Sequence, residues 1–328
     1  MNRIKYFDSL RLMAIFVVYL THFIASFCPE FFSLWTQFPT SLLLKGVSGK
    51  LGVALFGVLL GYFAYISKEN NSVYYILKRY TFFVVSALII NALYSLQAFL
   101  NGGRISLVKV LIESITLDDD IFPTYWCIPI FFAASIFSYL NGKANVTTIG
   151  ILLEIAILYK LGNIWLAVCL MGNLVARYQL NPCMDLLKKR LVRIILWVVL
   201  FFAVKRPECD NTYMIQGMCC ACLIMLIMRG SIARKILEHH LLASMGRQGM
   251  AIYILHPICY YSMAPLFFDW LEVLPYEWNF AITLLICFVL IVLFSFPTMA
   301  VINKATGLTG KLILKAQEFL QSKVAAAK

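Results

Sequence analysis

Apolar residues in this chain come in blocks about as long as a bilayer is thick. A helix needs roughly 20 consecutive apolar residues to cross a hydrocarbon core, where each backbone N–H and C=O must be bonded inside the protein. Such blocks fill most of the 328 residues and leave no room for a separate soluble domain. Composition agrees: 62% of residues are hydrophobic, 13% are charged and mean hydropathy is +0.83, whereas soluble domains carry about 25% charged residues. Reading the blocks between turn signals predicts an all-α, polytopic membrane protein of about ten helices. They fall near 9–27, 46–66, 77–100, 124–140, 145–160, 162–178, 190–204, 212–228, 248–268 and 279–302. The spans from 124 to 178 are separated only by very tight turns, at Asn141-Gly142-Lys143 and Leu161-Gly162-Asn163.

Charge sets the expected orientation. With the amino terminus in the cytoplasm, all but seven of the 28 Lys and Arg residues fall in cytoplasmic segments. The seven are Lys45, Lys50, Arg104, Lys109, Lys160, Lys205 and Arg206. Acids such as Asp118, Asp119, Asp120, Glu208, Asp210, Asp269 and Glu272 gather on the external side. Insertion favours Lys and Arg inside, so an even helix count with both termini cytoplasmic is expected. The same rule accounts for the net charge of +12, which in a soluble protein would suggest nucleic acid; no nucleic-acid partner is expected here. Residues 1–304 form the membrane domain in this reading. Residues 305–328 form a short basic tail, amphipathic enough to lie on an anionic inner leaflet.

The first apolar run follows Arg3 and Lys5 as a signal sequence would. Asp8 and Arg11 interrupt it, and no small-x-small cleavage site closes it, so it reads as a retained helix. Most of the ten cysteines lie in apolar blocks, such as Cys219, Cys220 and Cys222, and read as buried thiols. No metal-ligand spacing appears, so no metal is expected. Cys28 and Cys209 fall in predicted external loops, where sequence leaves their pairing open.

Ionisable residues within a bilayer are costly and are functional candidates by default. Here they are Asp8, Arg11, His22, Arg79, Glu154 and His256. Arg11 and His22 are eleven residues apart, about three helical turns and ~16 Å of rise, so they share a face. Asp8, three residues before Arg11, can pair with it. The first helix thus carries one polar stripe with His22 expected near mid-membrane. Histidine is the side chain best suited to proton exchange near neutral pH. The plainer alternative is an interfacial ion pair and a histidine satisfied by one interhelical hydrogen bond.

These residues resemble the opening of the acyltransferase 3 family of bacterial integral-membrane O-acyltransferases, which has an acidic residue, then Arg, then ten residues, then His. The segment Gly52 to Tyr62 is similar to the family's glycine-flanked, phenylalanine-rich helix, departing at Ala54 and Leu60. Lys78 and Arg79 match part of the family's basic pair, with Phe82 where a second arginine is common. Tyr125, Trp126 and Pro129 resemble the tryptophan-proline start of the fourth helix. Met245 to Pro257, with Gly246, Gly249, Tyr253 and His256, resembles the glycine-to-tyrosine-to-His-Pro segment of the ninth.

The resemblance implies an O-acyltransferase of the bacterial plasma (inner) membrane with no bound cofactor. It would take an acyl group, usually acetyl, from cytoplasmic acyl-CoA. The acceptor would be a hydroxyl of a cell-surface polysaccharide or its lipid-linked precursor. His22 would be the base, or else a transient acyl carrier, Arg11 an orienter or a phosphate or carbonyl ligand, and Asp8 the partner of Arg11. Lys78 and Arg79 suit acyl-CoA phosphates, and equally suit anchoring at the cytoplasmic surface. Trp126, Glu154, Tyr253 and His256 are cavity candidates; Trp126 also fits an interfacial belt, Glu154 a helix bend, and His256 an interhelical hydrogen bond beside a kink. Intramembrane Arg, His and Glu suit a proton-coupled transporter or flippase as well, although the sequence has no internal repeat. The departures at Ala54 and Leu60 suit a non-catalytic subunit of a glycan-synthesis complex.

Overall fold

The computed structural model describes residues 5–27, 49–104, 106–118, 126–180, 212–229 and 231–326. Among them the chain is all-α, with no strand. The helices are α1 (Lys5–Phe27), α2 (Gly49–Tyr65), α3 (Ser72–Leu100), α4 (Leu107–Thr116), α5 (Cys127–Lys143) and α6 (Thr148–Lys160). They continue with α7 (Ile164–Leu180), α8 (Thr212–Arg229), α9 (Ser231–Leu237), α10 (His240–Arg247), α11 (Gly249–Trp270) and α12 (Tyr276–Ala326). Among the described residues, four segments are long and apolar enough to cross a membrane: Lys5–Phe27, Ser72–Leu100, Gly249–Trp270 and Tyr276–Lys323. The other apolar helices are shorter, among them Lys50–Tyr65, Ile164–Tyr178 and Met214–Ile227. The expected helix at 190–204, Cys28 and Cys209 lie outside the described residues.

Lipid tails are as apolar as leucine, so helices in a membrane associate chiefly where small residues let backbones approach. α2 follows this rule and packs against α1, α5, α7 and α8. Gly52 lies against the Ala14 carbonyl of α1, and Gly61 against the Cys169 carbonyl of α7. Gly172 of α7 returns the approach onto the Val58 carbonyl of α2. A Cβ at any of the three would meet backbone. Gly142 is a further case and corrects a sequence expectation. It lies inside the last turn of α5, against the Tyr65 carbonyl, and the turn itself comes later, at Asn145 with φ 49°. The second expected turn is present, with Gly162 at φ 79°.

Two features were absent from the sequence reading. The segment expected to be an external loop holds α4, whose sides are reversed relative to a soluble helix. Leu107, Val108, Leu111, Ile112 and Ile115 are exposed, while Glu113 and Ser114 are buried. Asn91 donates to Ser114 at 3.1 Å, Lys109 pairs with Glu113 at 3.2 Å, and the Tyr80 hydroxyl donates to the Ile115 carbonyl. An apolar outside with a polar inside suits a helix facing lipid while packed along α3. The second feature is that α12 runs on past residue 304, through Pro297 and into the basic tail. The tail stays against the start of α3, where Asn71 donates to Gln317 at 2.7 Å and Gly310 touches Tyr74.

The core divides into two clusters that share α1. Tyr6, Phe7, Leu10 and Ala14 face a cluster built with α2, α6, α7 and α8. Leu12, Ile15, Tyr19 and Phe23 face another built with α3, α5, α11 and α12.

Candidate functional site

The first turns of α1 are held by three neighbouring elements. Ser9 donates to the Leu237 carbonyl at the end of α9, at 2.5 Å. Gly246 of α10 lies against the Asp8 carbonyl, and Gly249 opens α11 beside Ile15 and Arg11. The two glycines of the Met245–Gly249 segment thus give α1 its close approach. Asp8 is buried and accepts from Arg11 Nη1 at 2.9 Å, one turn along the same face. The Arg11 guanidinium also stands over the Phe63 ring, 4.3 Å from its centroid. A buried carboxylate on one side and an aromatic face on the other fix its direction. The expected pair is present, and Phe63 is the part that spacing did not reveal.

His22 projects from the same face about 16 Å further on. It stands five positions before Phe27, the last described residue of α1. Its ring meets two rings of α11: Tyr260, stacked at 5.7 Å and 11°, and His256 at 5.6 Å and 37°. Tyr253, His256 and Tyr260 follow an i, i+3, i+7 spacing, which puts them on one face of α11. Tyr260 was legible from that spacing and was missed. Cys127, at the start of α5, completes the group with Sγ 2.7 Å from the Tyr253 hydroxyl.

The His-Pro pair has a direct physical role. Pro257 has no N–H, so it cannot donate to the carbonyl four residues back, that of Tyr253. His256 takes that carbonyl instead, with Nδ1 2.6 Å from it. A carbonyl only accepts, so Nδ1 carries the proton and Nε2 a lone pair. His256 is fully buried, and Nε2 has no hydrogen-bond partner among the described residues. A π-helical turn, Cys259–Met263, follows directly and sets Tyr260 against His22. Inserted turns of this kind often mark functional sites.

The remaining candidates lie apart from this cluster. Lys78 and Arg79 occupy the second turn of α3, reaching back to the hydroxyls of Tyr74 and Tyr75 at 3.4 Å. Glu154 accepts from Asn141 at 2.6 Å and ties α6 to the last turn of α5. The Trp126 ring packs on Trp165 at 4.9 Å, where α5 and α7 begin. The site is therefore two polar stations along α1: the Asp8–Arg11 ion pair near its start and, further along, His22, paired with His256 of α11 and flanked by tyrosines. Such a site can hold an anionic or carbonyl group at Arg11 and exchange a proton at the imidazoles.

Among known proteins, one family model, described as an acyltransferase domain, matches residues 4–300. The match spans both stations and every helix from α1 into α12. No curated protein and no solved structure matches the chain.

Proposed function

Since this chain belongs to the acyltransferase 3 family, we propose that it moves an acyl group, most simply acetyl, from acyl-CoA to a glycan hydroxyl. The acceptor is a cell-surface polysaccharide or its lipid-linked precursor, at a bacterial inner membrane. The observation that carries this reading is the arrangement on α1. A pinned guanidinium at Arg11 and an imidazole at His22 share one face about 16 Å apart, with α11 closing over both. An anionic group of acyl-CoA held at Arg11 leaves its pantetheine arm to extend toward His22. His22 takes the hydroxyl proton as the acceptor oxygen attacks the thioester carbonyl. Lys78 and Arg79, exposed or half-buried at the start of α3, add an attraction for the CoA phosphates.

The reading includes ten spans with both termini cytoplasmic, motivated by the distribution of Lys and Arg. Reporter fusions after residues 118, 208 and 272 should report the outside, and fusions after 70, 185, 238 and 320 the inside. An external carboxyl terminus overturns this architecture. For the activity, membranes containing the full chain are supplied with radiolabelled acetyl-CoA, and label is followed into glycan and lipid-linked glycan. Label appearing there with the wild type and lost in His22→Ala at equal abundance supports the function. Absence of transfer with the wild type rejects it.

A further inference from the structure

We propose that His256 is a positioning residue for His22: its Nε2 lone pair accepts the N–H of His22 and leaves the other His22 nitrogen bare for the acceptor hydroxyl. This role rests on the acyl-transfer reading above. Three observations converge on it. His256 Nδ1 is committed to the Tyr253 carbonyl at 2.6 Å, which leaves Nε2 as an acceptor. That Nε2 is buried and unpartnered among the described residues, a costly state unless a donor reaches it during function. The polar ring facing His256 from α1 is His22, with centroids 5.6 Å apart. With His256 held by the Tyr253 carbonyl, the proposed hydrogen bond is made by the His22 ring turning toward Nε2.

Pro257 creates the arrangement by releasing the Tyr253 carbonyl, so the lock on His256 is built into its own helix. A carboxylate could orient His22 in the same way. Within a bilayer, however, a buried carboxylate is costly, and an imidazole of fixed tautomer supplies the lone pair without a charge.

The step balances as follows. The acceptor oxygen attacks the thioester carbonyl carbon and its proton passes to the bare nitrogen of His22. The tetrahedral intermediate collapses with cleavage of the C–S bond, and His22 returns the proton to sulfur. The products are an ester and a free thiol, and both histidines end as they began. His256 holds the His22 imidazolium by its second N–H while that charge exists.

Two measurements test the proposal. Nitrogen-15 spectra of the full chain in lipid nanodiscs, labelled at its four histidines, read the tautomers directly. The expected result is one imidazole protonated at Nδ1 and bare at Nε2, whose signal disappears in His256→Ala and loses its fixed tautomer in Pro257→Ala. A His256 protonated at Nε2 overturns the proposal. The second measurement is label transfer from acetyl-CoA in membranes, per molecule of protein. His256→Gln should lower the saturated rate about 10²-fold with KM for acetyl-CoA unchanged, and Pro257→Ala should lower it about tenfold. A merely structural histidine would lower abundance and leave the rate per molecule intact; that result overturns the proposal. If the wild type transfers label and His256→Gln matches it, only the role of His256 fails. If the wild type transfers none, the acyl-transfer reading fails and this role fails with it.

Discussion

The two halves of the core are held together by different means, and α1 belongs to both. Where α2 meets α1 and α7, glycines bring backbone against backbone and little can be added. Where α1 meets α11 and α12, large rings pack against one another: Phe16 and Tyr19 on Phe288, Phe23 on Phe280, His22 on Tyr260. The first seam also carries rings, Phe7 on Tyr62 and Phe63, but its closest approaches are backbone on backbone. In the second, His256 Nε2 is buried without a partner among the described residues, next to the His22 ring. The amino-terminal half of α1 is thereby held by close backbone contacts, and its carboxyl-terminal half carries His22 against the His256 and Tyr260 rings.

This contrast is open to direct challenge. The largest effect should come from the ring-packed half. His22→Gln keeps a hydrogen-bonding side chain that cannot take a proton at neutral pH, so transfer per molecule should fall about 10²–10⁴-fold at unchanged abundance. If Gln retains most of the activity, His22 is not the base. The glycine-packed half should answer in the opposite way. In Gly172→Leu the side chain meets the α2 backbone at Val58 and Tyr62, a conflict worth about 3 kcal/mol or more. Membrane abundance and detergent-solution Tm should drop while the surviving molecules keep their rate. Normal abundance with a lost rate would show that the two halves are not separable.

A smaller effect is expected where the halves join. Asp8→Asn removes the charge that pins Arg11, a bond worth about 1.5–3 kcal/mol at most. A rise of roughly tenfold in KM for acetyl-CoA, with little change in saturated rate, is the expected reading; a loss of protein instead would make the pair structural. The smallest effect belongs outside both clusters. Lys78→Ala with Arg79→Ala removes two side chains that, among the described residues, bond to tyrosines of their own helix. A severalfold higher KM at constant saturated rate marks them as phosphate contacts. An unchanged KM returns them to anchoring.

The sequence alone determined the helical class, the location of most helices and the Asp8–Arg11 pair. Each of these depends on local spacing: apolar runs of bilayer length, and Asp8 and Arg11 one turn apart. Spacing also put His22 on the Arg11 face. It did not show that Gly142 is a packing residue, since a glycine reads alike in a turn and under a neighbouring carbonyl. Nor did it reveal α4, whose apolar residues face outward and whose polar ones, Glu113 and Ser114, face α3. The meeting of His22 with His256 and Tyr260, 234 and 238 positions away along the chain, was decided by tertiary structure. So was the commitment of His256 Nδ1 to a carbonyl that Pro257 releases. Helix periodicity states which residues share a face. Only the packing of α11 on α1, permitted by Gly246 and Gly249, states which face another helix meets and at what height.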